Sequence, residues 1–345
     1  MQHERAPRPL PLFLELVREV AERDPELARQ ALIGLKAYER AERATAPPPK
    51  PEVARVIATC LRDHGGAGPP AVLVPSLINP PHILDMDRDA SLADAVTGMG
   101  RRALLLDWGP AKDRAGASVS DHVEKLLVPL LRGLGEPVAL VGYCLGGTMV
   151  IAAANLVACE RVATLAAPWN FALYPERSRA ALQDMWCHSQ AAAQALKALP
   201  MEMLQAAFWS LDPERTVKKF ASFGALDPSS PQAHRFVALE DWANEGEPLP
   251  YPAARELIED LFGQDSPGSG QWQIGERRIT DRLDAPLLNV LAADDRIAPA
   301  ATAPAGAAVA ISSGHVGMIV GSARAALHDR LRTFLDPLVA DATCG

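Results

Sequence analysis

Residues 138–150 read VALVGYCLGGTMV, and the rest of the chain is best read outward from them. Apolar residues lead straight into Gly142-Tyr143-Cys144-Leu145-Gly146-Gly147. A strand that turns sharply into a helix forces its central residue into a strained backbone, and glycines two before and two after it remove the side chains that would collide. The spacing predicts a nucleophile elbow, with cysteine where serine is the common residue. At such an elbow the amide of the next residue, Leu145, points at the oxygen of an incoming carbonyl. A second donor comes from the loop after an earlier strand, here Ser76-Leu77-Ile78-Asn79-Pro80.

A free thiol is only a few per cent ionised near neutrality, so it needs a histidine within hydrogen-bond reach, itself oriented by a carboxylate. The chain supplies these in the order nucleophile, acid, histidine. Asp294-Asp295 follow one apolar strand, and His315 follows the next within Ser313-Gly314-His315-Val316-Gly317. Of the eight histidines, only His315 combines a strand end, flanking glycines and an acid upstream at a strand end. His82, His122, His188 and His328 read as surface or packing residues, and Trp108 and Trp242 as core. Cys60, Cys159 and Cys187 read as small buried hydrophobes.

Around the elbow the pattern alternates. Residues 54–61 (ARVIATCL), 71–77 (AVLVPSL), 102–108 (RALLLDW), the run into Cys144, RVATLAAPW, APLLNVLAADD and VAISSGH read as strands, with helices such as SLADAVTGMG and SDHVEKLLVPLLRGL between them. Near-continuous apolar strands separated by helices predict an α/β fold, a mostly parallel sheet covered on both faces, with its site at the C-terminal strand ends. Between residues 168 and 283 the alternation fails and the sequence is helical in character, which reads as an inserted cap. Residues 1–44 read as a helical extension, with Asp24-Pro25-Glu26 opening its second helix, and the Pro-rich 45–51 as a linker. The core is then expected over 52–167 and 284–345.

With 345 residues, 48% of them hydrophobic, the chain can bury one large core plus an insertion. A net charge of -8 without a long basic run argues against nucleic acid as a partner, while leaving room for a local Arg or Lys pocket for a phosphorylated ligand. Five cysteines, Cys60, Cys144, Cys159, Cys187 and Cys344, have no CxxC spacing, so neither a disulfide framework nor a zinc site is expected. Glu15 and Arg18 interrupt the apolar start before it takes signal-peptide form, and no apolar run reaches about 18 residues. These features predict a soluble cytoplasmic protein without a membrane span.

With these residues in hand, the chain resembles the polyhydroxyalkanoate synthase family, enzymes of the α/β-hydrolase fold with a Cys-Asp-His triad. The resemblance runs from about Ala71 to the C-terminal helix. The signature G-x-C-x-G-G is met by Gly142, Cys144, Gly146 and Gly147, and VPSLINPPHILDMDRDASLADAV is similar to the family's VP-x-x-IN-x-x-x-ILDL segment and the helix after it. LLLDWGPA looks like the next strand, LAADDRIAP like the acid motif, SSGHVGMIVG like the histidine motif, and FVALEDWANEGEPLP like a cap region of shorter members. In that acid motif the second acid is catalytic, which selects Asp295. The resemblance implies that His315 deprotonates Cys144, that the thiolate attacks a 3-hydroxyacyl-CoA thioester, and that amides at Leu145 and near Ile78 and Asn79 hold the oxyanion. It implies no resident cofactor or metal, coenzyme A thioester as substrate and a polyester chain as product; a homodimer and attachment to a granule surface are compatible with it. Arg296 stands where the family usually shows a histidine, the N-terminal helices match no motif, and at 5% aromatic content no polyester channel is evident.

Two other outcomes share the same residues. GYCLGG also occurs in dienelactone hydrolases, which are shorter and uncapped, and a Cys-triad ester or thioester hydrolase, such as a polyester depolymerase, would release the acyl group to water. A non-catalytic granule-associated relative is the third reading, against which the intact triad speaks.

Overall fold

The structure, a computed structural model, describes residues 6–43, 45 and 47–336. Cys344 lies outside the described residues. Eight strands form one sheet: β1 Glu52–Val56, β2 Thr59–Gly65, β3 Pro70–Val74, β4 Arg102–Asp107, β5 Ala139–Tyr143, β6 Arg161–Leu165, β7 Leu287–Ala292 and β8 Ala307–Ile311. Their order is β1-β2-β4-β3-β5-β6-β7-β8, with β2 antiparallel to both β1 and β4 and every other pairing parallel. β3, β5 and β6 are buried at every residue, as near-continuous apolar strands in a doubly covered sheet must be. The chain has the α/β-hydrolase fold.

The expected single strand over 54–61 is corrected by the structure: it is a hairpin, with Val56 paired to Thr59 and Ile57 in the left-handed region at φ 56°. A two-residue reversal without glycine leaves no punctuation in an apolar run, so periodicity alone cannot find it.

The chain divides into two compact units. One comprises the described residues up to Pro48 together with Pro200–Gly246; the other comprises Pro49–Leu199 and the described residues from Glu247 onward. In the first, the helices Leu10–Ala21 and Pro25–Arg40 cover their apolar stripes with Pro213–Gly224 and Pro231–Asn244. Phe13 and Tyr38 meet Phe220, whose ring also contacts Phe236. Trp242 is buried in this unit. Helix Pro25–Arg40 comes so close to Pro213–Gly224 that a Cβ on Gly34 would stand 1.8 Å from the Phe220 carbonyl oxygen. The Tyr38 hydroxyl donates to Asp241 at 2.6 Å, and Arg43 pairs with the same carboxylate.

In the second unit the C-terminal helix Arg324–Leu335 is tied to the N-terminal ends of the strands. The fully buried Arg101 guanidinium donates to the Leu335 carbonyl at 2.7 Å and pairs with Glu160. Arg161 donates to the Phe334 carbonyl. Arg101→Met should therefore lower stability by about 1–3 kcal/mol, since it strands the buried Leu335 carbonyl and leaves Glu160 with Arg161 alone. Urea unfolding checks this, and a loss under about 1 kcal/mol would mean that the pair is dispensable. No helix among the described residues is long and apolar enough to cross a membrane.

Candidate active site

β5 lies between β3 and β6, and register pairs Val74 with Gly142 and Tyr143 with Leu165. The chain then reverses at Cys144, which sits at φ 56°, ψ -130° as the N-cap of helix Leu145–Ala154. A non-glycine residue in that region is strained and persists only where its surroundings dictate it. Here Cys144 N–H donates to the Leu165 carbonyl at 2.9 Å, and its own carbonyl accepts from Gly147 at 2.8 Å. The glycines are required by space. A Cβ on Gly146 would lie 2.2 Å from the Val74 oxygen, and one on Gly142 2.5 Å from the Gly147 Cα. The amide of Leu145 belongs to the first turn of the helix, where no intrahelical acceptor exists.

Asp295 and His315 come to the same strand ends. The loops after β7 and β8 are joined by backbone bonds, Ala293 N to Ile311 O at 2.8 Å and Asp294 N to Ser313 O at 3.0 Å. Of the acidic pair, Asp294 is exposed and Asp295 buried. Oδ1 of Asp295 accepts from the amides of Ile297 (2.7 Å) and Ala298 (3.0 Å), and Oδ2 accepts from His315 Nδ1 at 2.6 Å. The Cys144 side chain faces His315 closely enough to act on its ionisation. With Nδ1 donating to the carboxylate, it is Nε2 that faces the sulfur. Burial opposes a charge on His315, but the facing Cys144 and the bond to Asp295 outweigh it and hold its pKa up at about 10.

The bond to Asp295 and the facing Cys144 thus favour a proton on His315. Alkylation of Cys144 by iodoacetamide at neutral pH should then be at least about tenfold slower in His315→Gln, which can neither take the thiol proton nor hold a charge opposite the sulfur. Equal rates in the two proteins would dissolve the pairing.

Sequence reasoning passed over several neighbours. The Tyr143 ring lies against His315, centroids 4.9 Å apart, and its hydroxyl donates to the His315 carbonyl at 3.4 Å. Buried Tyr174 donates to the Ile297 carbonyl at 2.9 Å and is near enough to Cys144 and Asp295 that both charges, after burial, push its hydroxyl pKa well up. Neither contact has a local signal, because the partners are more than a hundred residues apart. Ile78 is buried and Asn79 half-buried in the loop after β3. Trp108 is buried as expected, yet its indole N–H holds the Pro75 carbonyl at 3.1 Å. His122, expected as surface or packing, is fully buried beside Arg114. Cys187 is exposed, contrary to expectation, because it falls on the outward face of helix Glu176–Leu196; Cys60 is buried and Cys159 half-buried. Arg296 is exposed.

No family model matches the chain. Among curated proteins, it is 25% identical over 275 residues to the poly(3-hydroxyalkanoate) polymerase subunit of Haloferax mediterranei, covering 73% of this chain and 55% of that protein. The same-named subunit of Thiocystis violacea is 23% identical over 273 residues, 73% of this chain and 76% of its own. The chain is similar to the polyhydroxyalkanoate synthases. It spans little more than half the length of the Haloferax synthase subunit and of its Haloarcula marismortui counterpart, 57% in the latter. Among solved structures, a candidate aryl esterase from Burkholderia cenocepacia superposes with a TM-score of 0.51 at 14% identity, covering 82% of this chain and 95% of that one. A carboxylesterase from Nitrososphaera gargenis gives 0.50 at 13%, covering 84% and 100%. At these identities the likeness to the esterases is one of fold, and the likeness to the synthases rests on sequence.

Proposed function

We propose that this chain is a polyhydroxyalkanoate synthase-like acyltransferase in which Cys144 carries the acyl group. The observation that supports it most is the continuous line from a thiol on a strained elbow, through His315, to an Asp295 carboxylate already fixed by two amides. His315, oriented by Asp295, takes the proton of Cys144. The Cys144 thiolate attacks the carbonyl of a 3-hydroxyacyl-CoA, the new C–S bond forms, and the carbonyl electron pair moves to an oxygen held by the amides of Leu145 and Ile78. Collapse of this adduct expels the coenzyme A sulfur, which leaves with the proton from His315. The now neutral His315 takes the proton from the hydroxyl of a second acyl unit, whose oxygen attacks the acyl-enzyme. An ester forms, and thiolate and imidazolium are restored. Cysteine suits the first half because exchange between two thiols is nearly balanced, so the acyl-enzyme remains reactive towards an alcohol. No cofactor is needed for either half. A polyester product implies work at a granule surface in the cytoplasm.

The test is 3-hydroxybutyryl-CoA with the whole chain. Protein quenched during turnover should carry a 3-hydroxybutyryl group on Cys144, and the product should contain ester-linked 3-hydroxybutyrate. Free 3-hydroxybutyrate as sole product would make the protein a thioester hydrolase, and no release of coenzyme A would sink the reading altogether.

A further inference from the structure

The loop expected to supply the second oxyanion donor begins beside the elbow, since Gly146 packs against the Val74 and Pro75 carbonyls. Two side chains from the segment after β4 grip that loop from behind. Trp108 donates its indole N–H to the Pro75 carbonyl at 3.1 Å, and Arg114 reaches the Leu77 carbonyl at 3.5 Å. Arg114 is itself buried, with its other bonds to the Gly109 carbonyl at 3.3 Å and to His122 Nε2 at 3.0 Å. His122 Nδ1 lies 2.6 Å from the Ser118 carbonyl and can only donate to it, so Nε2 is the bare nitrogen and receives the guanidinium. Trp108 packs edge-on against the His122 ring, centroids 5.4 Å apart. The acidic groups that act on Arg114 are Glu247 and Asp107. Both are engaged elsewhere, Glu247 by the Ala111 amide and Asp107 by Arg62 and the Gly109 amide. A buried guanidinium held only by neutral acceptors is costly, and its charge is screened little.

The peptide plane supplies the link to chemistry. The Leu77 carbonyl and the Ile78 N–H belong to one planar trans unit and point in opposite directions. Whatever holds the oxygen also aims the N–H, and a cation at the oxygen polarises the N–H into a stronger donor. We propose that Arg114, seated on a neutral His122, is the positioning residue of the loop Pro75–Asn79: it clamps the Leu77 carbonyl, and so orients and strengthens the Ile78 amide for the oxyanion formed at Cys144. Arg114 does not touch substrate, and the assignment rests on the reading of Cys144 and Ile78 given above.

The test separates acyl transfer from simple thiol reactivity. Alkylation by iodoacetamide displaces iodide and forms no oxyanion, so it reports the state of the elbow and of His315 without calling on the loop. In Arg114→Gln, kcat for coenzyme A release from 3-hydroxybutyryl-CoA should fall about 10- to 100-fold, with KM within about threefold of the parent and the alkylation rate within about twofold. Arg114→Lys, which keeps the charge but not the fork, should recover part of the loss. If Arg114→Gln gives no cooperative melt, Arg114→Lys decides alone, with a drop of at least about fivefold in kcat at unchanged alkylation expected. A folded variant with the parent's kcat, an alkylation rate that falls in step with kcat, or a loss carried by KM alone would overturn the assignment. Coenzyme A release that survives Cys144→Ala would instead remove the reading of the site on which it stands.

Discussion

Cys144→Ala is expected to lower coenzyme A release from 3-hydroxybutyryl-CoA by at least about 10⁴-fold while leaving the melting curve nearly unchanged. When a nucleophile is removed from a triad, the remaining groups retain only the catalysis that binding and the oxyanion donors supply, and the loss is on the order of 10⁴ to 10⁶. The fold should tolerate the change. The strain at φ 56° is imposed by backbone bonds to Leu165 and Gly147 that alanine keeps, and the side chain is only half-buried. A coenzyme A release assay on the two purified proteins checks this. Residual activity within about tenfold of the parent would mean that the acyl group never passes through this sulfur, whatever the product.

The elbow was legible because its requirements are local. Gly142, Gly146 and Gly147 each exclude a Cβ at less than 3 Å, so the sequence around the cysteine could hardly differ. Asp295 and His315 were legible for a similar reason, as each follows an apolar strand directly and the fold brings strand ends together. The choice between Asp294 and Asp295 was not open to spacing. It follows in the structure from burial and from the two amides that hold one carboxylate and not the other. What stayed hidden depends on pairings across long separations. The contact of Tyr143 with His315, the bond of Arg114 to Leu77 and the union of the N-terminal helices with residues 213–244 leave no mark within any single window. The hairpin at Ile57 was missed because its reversal uses neither glycine nor proline.

Asp295→Asn should lower kcat on the order of 10³- to 10⁴-fold with little change in stability, a loss of the size seen when the orienting acid of a triad is neutralised. The cause can be traced atom by atom. Oδ1 is fixed as an acceptor by the amides of Ile297 and Ala298, so an asparagine must place its carbonyl oxygen there and turn its NH₂ to His315. Nδ1 then becomes an acceptor, the ring proton moves to Nε2, and the nitrogen facing Cys144 can no longer take a proton. Asp294→Asn, at an exposed position one residue away, should stay within about twofold of the parent. Comparable losses in the two variants, measured as kcat for coenzyme A release, would remove Asp295 from its assigned role.

The unit built from the N-terminal helices and residues 200–246 has a consequence for synthesis on the ribosome. Helices Leu10–Ala21 and Pro25–Arg40 carry apolar stripes whose cover, Pro213–Gly224 and Pro231–Asn244, is made roughly 170 residues later. At about 5–20 residues per second that is a wait of about 10–35 s. During that interval the strands β1 to β6 can pair among themselves, whereas Phe13 and Tyr38 lack their partner Phe220. These two helices are among the last elements to find their places, and a nascent chain stalled before residue 213 would present their greasy, uncovered stripes to whatever holdase reaches it first.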